Sequence, residues 1–274
     1  MREGFDGYRL DFAYGPPHDF WTDFRRVCRS VKSDVWIFGE VVHTASIQRS
    51  FAGRMDGTLD FLLARALRET FAFENMSLDE FDAFLSGHEN YFPVEFIRPS
   101  FLDNHDMSRF YYIAGENKAR LKMASLIIYT LAGPPIIYNG TEAGVSQERP
   151  MQQGNRYIFE EARQPMKWAA EQDAELVGFF RRLGHLRHAY PVLYKSSRRT
   201  LHLNSAKGSY AYARTDSKST VVMALNMNST SQTLVLRGSG LPEEAHDQLN
   251  GNQVKAQDDA VIIELPGQSS AFVA

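Results

Sequence analysis

The sequence predicts an α/β fold: strands of a parallel sheet alternating with helices, followed by a small antiparallel β-domain. Three observations predict it. Over the first two-thirds of the 274 residues, short apolar runs alternate with stretches of helical periodicity, as in a parallel sheet covered by helices. After Pro191 the pattern becomes short runs of two-residue alternation separated by turn residues, which reads as antiparallel sheet. Asp11, Glu40 and Asp106 each sit where a predicted strand ends, and barrels of parallel strands carry their catalytic groups at that rim.

In chain order, residues 5–11 read as a strand ending in polar groups, and Pro16 and Pro17 suit a helix start. Phe20, Phe24, Val27, Cys28 and Val31 then recur at helical spacing. Val35 to Gly39 is a buried strand ending at Glu40. Residues 60–73 and 77–86 read as helices, and Ser77 with Glu80 makes a capping box. Phe96 to Phe101 reads as a strand weakened by Pro99, and it runs into Leu102-Asp103-Asn104-His105-Asp106. Residues 117–131 form an apolar helix stopped by Gly133-Pro134-Pro135, and Ile136 to Tyr138 is a short strand. Residues 173–188 place Leu176, Phe179, Phe180, Leu183 and Leu186 on one helical face. The β-domain strands read as 209–214, 220–225, 232–236, 260–265 and 270–273. The boundary near 189–195 divides the chain into residues 1–190 and 191–274.

A hydrophobic share of 43% with 23% charged residues supports a sizeable core. The net charge of −3 gives no sign of a nucleic-acid or anionic-membrane partner. The longest apolar patch, Ala124 to Ile137, is broken by Ser125, Thr130 and the Gly-Pro-Pro turn, so no membrane-spanning helix is expected. Cys28 is the only cysteine; it excludes an intrachain disulfide and a cysteine-rich metal site, and reads as core filler. No basic segment followed by an apolar one opens the chain, and localisation stays open.

Rim carboxylates suggest glycoside hydrolysis. That reaction needs one carboxylate at the anomeric carbon and a second, protonated carboxyl to release the leaving oxygen, about 5–5.5 Å apart in retaining enzymes. Arg9 lies two residues before Asp11, so both side chains share one face of the strand and the cation keeps the carboxylate ionised. Alone, an Arg-x-Asp step is a common structural pair, and His105-Asp106 is an ordinary loop pair.

Longer motifs say more. Gly7-Tyr8-Arg9-Leu10-Asp11 resembles the α-amylase-family segment around the nucleophile at the end of barrel strand 4. Phe38-Gly39-Glu40 is similar to its strand-5 acid/base motif, and Phe101 to Asp106 to its strand-7 motif. Gly133 to Glu142 is similar to the strand-8 segment, with Met166-Lys167-Trp168 following in order. The resemblance covers nearly the whole chain, most strongly over 4–190. It implies a partial (β/α)8 TIM barrel, strands 4 to 8, followed by an antiparallel β-sandwich. It further implies Asp11 as nucleophile, Glu40 as general acid/base and Asp106 as transition-state stabiliser. Arg9 would support Asp11, and His105 would bind sugar. The implied reaction is retaining cleavage of α-glucosidic bonds, α-1,4 in starch-like oligosaccharides, without cofactor.

The chain departs from the family pattern at four places. It starts at the fourth strand, so it is expected to be a fragment with Met1 an internal methionine. Its exposed edges would call for a missing N-terminal half-barrel or self-association. Tyr14 and Gly15 stand where many α-amylases have Lys and His. Val42 stands where some relatives carry a stacking Trp; beside it His43, like Tyr14, is a candidate substrate contact. The family's calcium site draws mainly on absent segments, so no metal is assigned. His185 and His188 read as a solvated helix face. Trp21, Trp36 and Trp168 read as core, Glu142 as a non-catalytic rim carboxylate, and Tyr138 as either core or rim. The competing readings are a transglycosylase using the same residues, a non-catalytic carbohydrate-binding protein, which the three retained carboxylates disfavour, and an inactive unstable fragment.

Overall fold

The computed structural model describes residues 3–257 and 259–274; the reading of Met1 as an internal methionine concerns a residue outside these. Gly7–Leu10 (β1) pairs in parallel with Trp36–Gly39 (β2), Leu10 opposite Gly39. Between them lies His18–Val31 (α1), entered through Pro17. After Ala45–Ser50 (α2), Gly57–Thr58 (β3) pairs in parallel with β2. Single parallel bridges then join Gly57 to Ile97 and Ser100 to Pro135. Five segments thus form one parallel arc, and among the described residues β1 pairs on one side only.

Two of these segments differ from expectation. The stretches 96–101 and 136–138 are not regular strands. Pro99, Pro134 and Pro135 have no N–H for a ladder, so pairing survives at separate points: Ile97 N–H to Asp56 O at 2.8 Å, Ser100 N–H to Pro134 O at 3.0 Å and Ile136 N–H to Ser100 O at 2.7 Å. β3 is a strand that the sequence did not announce. Gly57 is required there because a Cβ would overlap the Ile97 carbonyl.

Phe61–Leu67 (α3) is capped by Asp60, whose carboxylate accepts from Leu63 N–H at 3.0 Å, and continues into a π-turn over Arg68–Ala72. Leu78–Tyr91 (α4) runs longer than expected and carries the Ser77/Glu80 capping box. Phe110–Ile113 (α5) precedes Lys118–Thr130 (α6), where Asn117 accepts from the Ala119 and Arg120 N–H groups. A small hairpin, Gln152–Gln153 (β4) with Arg156–Tyr157 (β5), lies before Ala174–Ala189 (α7) and Val192–Lys195 (α8).

The C-terminal part holds two antiparallel sheets. One orders Ser269–Val273 (β12), Thr220–Asn226 (β8), Ser209–Thr215 (β7) and Ser197–Asn204 (β6). The other orders Val254–Gln257 (β10), Ala260–Leu265 (β11) and Gln232–Arg237 (β9). β6 and β10 are additions to the expected strands. Ala211, Val222, Leu234, Val261, Ile263 and Val273 form a core common to both sheets. The other face of the first sheet joins the helices: Tyr210, Met223 and Phe272 pack in one cluster with Phe81, Leu126 and Phe179.

On α1 the apolar periodicity is only partly buried. Trp21 and Cys28 are core, but Phe20, Val27 and Val31 are exposed, because among the described residues no element packs on that side. Trp168 is also not core: it is 69% exposed, on extended backbone leading into a surface turn at Ala169–Glu171. His185 and His188 are exposed.

Candidate active site

The register of β1 and β2 brings two carboxylates to one level. Glu40 N–H donates to Leu10 O at 2.8 Å, and Ala13 N–H donates to Glu40 O at 3.0 Å. Asp11 and Glu40 therefore leave adjacent strands side by side. The Arg9 guanidinium joins them, with Nη1 on Asp11 Oδ1 and Nη2 2.9 Å from Glu40 Oε1. The hydrogen bond from Arg9 and then its charge hold the Asp11 carboxyl below its ordinary 3.8; slight burial opposes this, and Glu40 and His105 add smaller lowering effects. Asp11 is open to solvent, its side chain 78% exposed, whereas Glu40 is 13% exposed. One carboxylate held anionic and accessible beside a second, more enclosed one is the pairing that acid-assisted displacement requires.

The third carboxylate comes from the loop after the Ser100 bridge. Asp106 N–H donates to Asn104 Oδ1 at 2.9 Å, and its carboxylate lies 3.1 Å from His105 Nε2. Arg163 fixes it from outside: Nη2 donates to Asp106 Oδ1 at 2.9 Å and Nε to the His105 carbonyl at 3.0 Å. The sequence reading missed Arg163, whose segment carries no local pattern; only its position in space connects it to the site.

The loop rests on a buried anchor. Asp103 accepts from Phe110 N–H at 2.8 Å and from the Thr141 hydroxyl at 2.9 Å. Burial pushes its carboxyl up, against the nearby Arg109 charge and these hydrogen bonds. Arg109, fully buried, donates to Ala162 O and Asn139 O, both at 2.8 Å, and its guanidinium stacks 3.9 Å from the Tyr138 ring centroid. Tyr138 is thereby engaged in holding the loop.

Tyr14 and His43 meet at the rim with ring centroids 4.8 Å apart, and His43 Nδ1 accepts from Thr44 N–H at 2.9 Å. Glu142 lies on a 3-10 turn, Thr141–Ala143. Among the described residues no three His, Cys, Asp or Glu converge as a metal-ligand set.

The family profile described as "Alpha amylase, catalytic domain" matches residues 5–189. The chain is 40% identical over 195 residues to alpha-amylase 2 of Dictyoglomus thermophilum, covering 71% of this chain and 34% of that protein. It is 31% identical over 240 residues to neopullulanase 2 of Thermoactinomyces vulgaris, covering 86% of this chain and 39% of that one. Among solved structures, an Anoxybacillus α-amylase superposes with a TM-score of 0.86 at 28% identity, over 98% of this chain and 58% of that one. A cyclomaltodextrinase superposes with a TM-score of 0.87 at 25% identity, over 99% and 46%. The chain spans 34 to 43% of the length of three curated relatives that it matches.

Proposed function

The chain belongs to the α-amylase family of glycoside hydrolases (glycoside hydrolase family 13), and from that premise we propose that it carries the reacting carboxylates of a retaining enzyme acting on α-1,4-glucosidic bonds of starch-like oligosaccharides. The observation that carries this is the Arg9 guanidinium touching both Asp11 and Glu40 at the ends of neighbouring parallel strands.

In this reading Asp11 attacks the anomeric carbon as Glu40 gives its proton to the departing glycosidic oxygen, which takes the electron pair of the broken bond. Glu40, now a carboxylate, removes a proton from the incoming water or sugar hydroxyl that cleaves the ester. Two inversions return the α-configuration. Asp106, held by His105 and Arg163, stabilises the positive charge that develops on the sugar. Tyr14 and His43 contact the substrate beside Glu40. β1, β2, β3 and the segments at 97–100 and 135–138 correspond to barrel strands 4 to 8. Residues 1–190 are the C-terminal part of a (β/α)8 catalytic domain, and 191–274 are an all-β sandwich domain. The free side of β1 is where a further part of the barrel, or a second copy, completes the sheet.

Maltooligosaccharide cleavage tests the reading, measured for this chain, for Asp11→Asn and Glu40→Gln, and for each joined to an upstream half-barrel of a relative. Cleavage is expected to disappear in Asp11→Asn and to fall roughly 10²–10⁴-fold in Glu40→Gln. Near-parental turnover in either variant contradicts it.

A further inference from the structure

One cation beside the loop that carries Asp106 takes no part in the carboxylate chemistry. Arg68 follows α3, where the regular helix gives way to the π-turn and Phe73 N–H donates to Arg68 O at 2.9 Å. Such turns are rare and gather at functional sites. Leu67, Thr70 and Phe71 around it are buried, and Arg68 itself is half-buried. Its Nη1 donates to Ser108 O at 2.8 Å and to Leu102 O at 3.3 Å. Among the described residues neither of its side-chain hydrogen bonds ends on a carboxylate. Burial pushes its pKa down, against the Asp103 charge and smaller contributions from Tyr157 and Glu69. A partly buried cation held by carbonyls alone is a costly way to stabilise a fold.

The two acceptors explain the arrangement. Leu102 and Ser108 stand on either side of residues 103–107, the turn with His105 and Asp106, so one nitrogen closes that turn at its base. Arg163 grips the same turn from the other side, at His105 O and Asp106 Oδ1. α3 follows β3, and the turn follows the segment at 97–100. These two are joined by the Gly57–Ile97 bridge, inside the arc and away from its first and last segments.

We propose that Arg68 is a positioning residue for the reaction: by tying Leu102 O and Ser108 O together it fixes Asp106 against the sugar that reacts at Asp11. This rests on the assignment of Asp106 above.

Two measurements test it. In the 274-residue chain, peptide-resolved hydrogen exchange reads the loop directly, since the amides of Asp106, Arg109 and Phe110 are all hydrogen-bonded. Arg68→Met removes the donor and keeps an apolar stem. Exchange over 102–110 is expected to rise roughly 10-fold or more, with 118–130 and 209–215 at parental rates and part of the protection restored in Arg68→Lys. Unchanged exchange over 102–110, or an equal rise along the whole chain, overturns the proposal. In the chain joined to an upstream half-barrel of a relative, kcat for maltotetraose is expected to fall roughly 10- to 100-fold in Arg68→Met, with KM within about threefold of the parent. On an Asp106→Asn background the same substitution is expected to change kcat by less than about twofold, because Arg68 acts through that carboxylate. Equal falls on both backgrounds overturn the proposal and make Arg68 a general support of the fold. Near-parental kcat in Asp106→Asn alone instead overturns the assignment of Asp106, and the proposal with it.

Discussion

Removing the Asp82 carboxylate should loosen the C-terminal antiparallel sheet from the helices. Asp82, on α4, receives three hydrogen bonds on one oxygen, from Arg198 Nη1, Thr200 Oγ1 and Tyr210 Oη, all at 2.6 Å. The Arg198 side chain is 2% exposed, and Tyr210 is fully buried. Asp82→Ala therefore leaves a buried guanidinium and a buried hydroxyl without their main acceptor, a class of change that costs about 3–5 kcal/mol. Glu89 remains, accepting from Arg198 Nε at 3.0 Å, which places the loss near the lower end, about 3 kcal/mol. For a chain of this size that is a drop in Tm of roughly 6–12 °C. Burial pushes the Asp82 carboxyl up, but the hydrogen bonds from Thr200, Tyr210 and Arg198 and the Arg198 charge outweigh it, so its pKa lies below the ordinary 3.8. A depressed carboxylate pKa contributes stability that is fully present above the unfolded value and disappears as pH falls through the folded one. The gap between parent and variant should thus stay constant from about pH 5 to 7 and close in stronger acid. Urea unfolding at several pH values measures it, with Asp82→Ala/Arg198→Met completing a cycle in which the double variant loses less than the sum. A loss under about 1 kcal/mol at pH 7, the value of an exposed pair, would refute the reasoning.

Arg9→Gln removes the hydrogen bond and charge that lower Asp11. The acid limb of the α-maltosyl fluoride pH–rate profile, below 3.8 in the parent, should therefore move to higher pH; an unmoved limb separates Arg9 from the nucleophile. Arg163→Ala frees the half-exposed Asp106 carboxylate, and kcat/KM for maltotetraose should fall about 5-fold, the worth of one partly screened charged hydrogen bond. Gly57→Ala forces a Cβ into the Ile97 carbonyl and should cost about 1–3 kcal/mol in urea unfolding; an unaffected midpoint contradicts the close β3 approach.

Physical differences among the elements explain what the sequence could reveal. β2 was legible because an apolar run ends abruptly in a charge, β1 because a short segment ends in polar groups, and the capping box of α4 because both partners lie within three residues. β3 was not, since two residues between Asp56 and Leu59 carry no periodicity and pair only because Gly57 admits a neighbour. The proline-bearing segments have the apolar content of strands but lack the donors. β6 begins in a polar run, Ser197-Arg198-Arg199, of which the Arg198 side chain is enclosed through its pairing with Asp82 and Glu89, more than 100 residues away in the chain. Asp11, Glu40 and Arg9 come together as their strand positions imply. The Arg163 clamp on Asp106 depends on loop geometry that no local pattern encodes.

The most direct test of the central claim is peptide-resolved mass spectrometry after trapping with a 2-deoxy-2-fluoro-α-maltosyl donor bearing a fast leaving group. The account predicts one added glycosyl group, esterified to Asp11, in the parent and none in Asp11→Asn. A label on Glu40, on Asp106 or on any other residue, or no label in the chain joined to an upstream half-barrel, would contradict it.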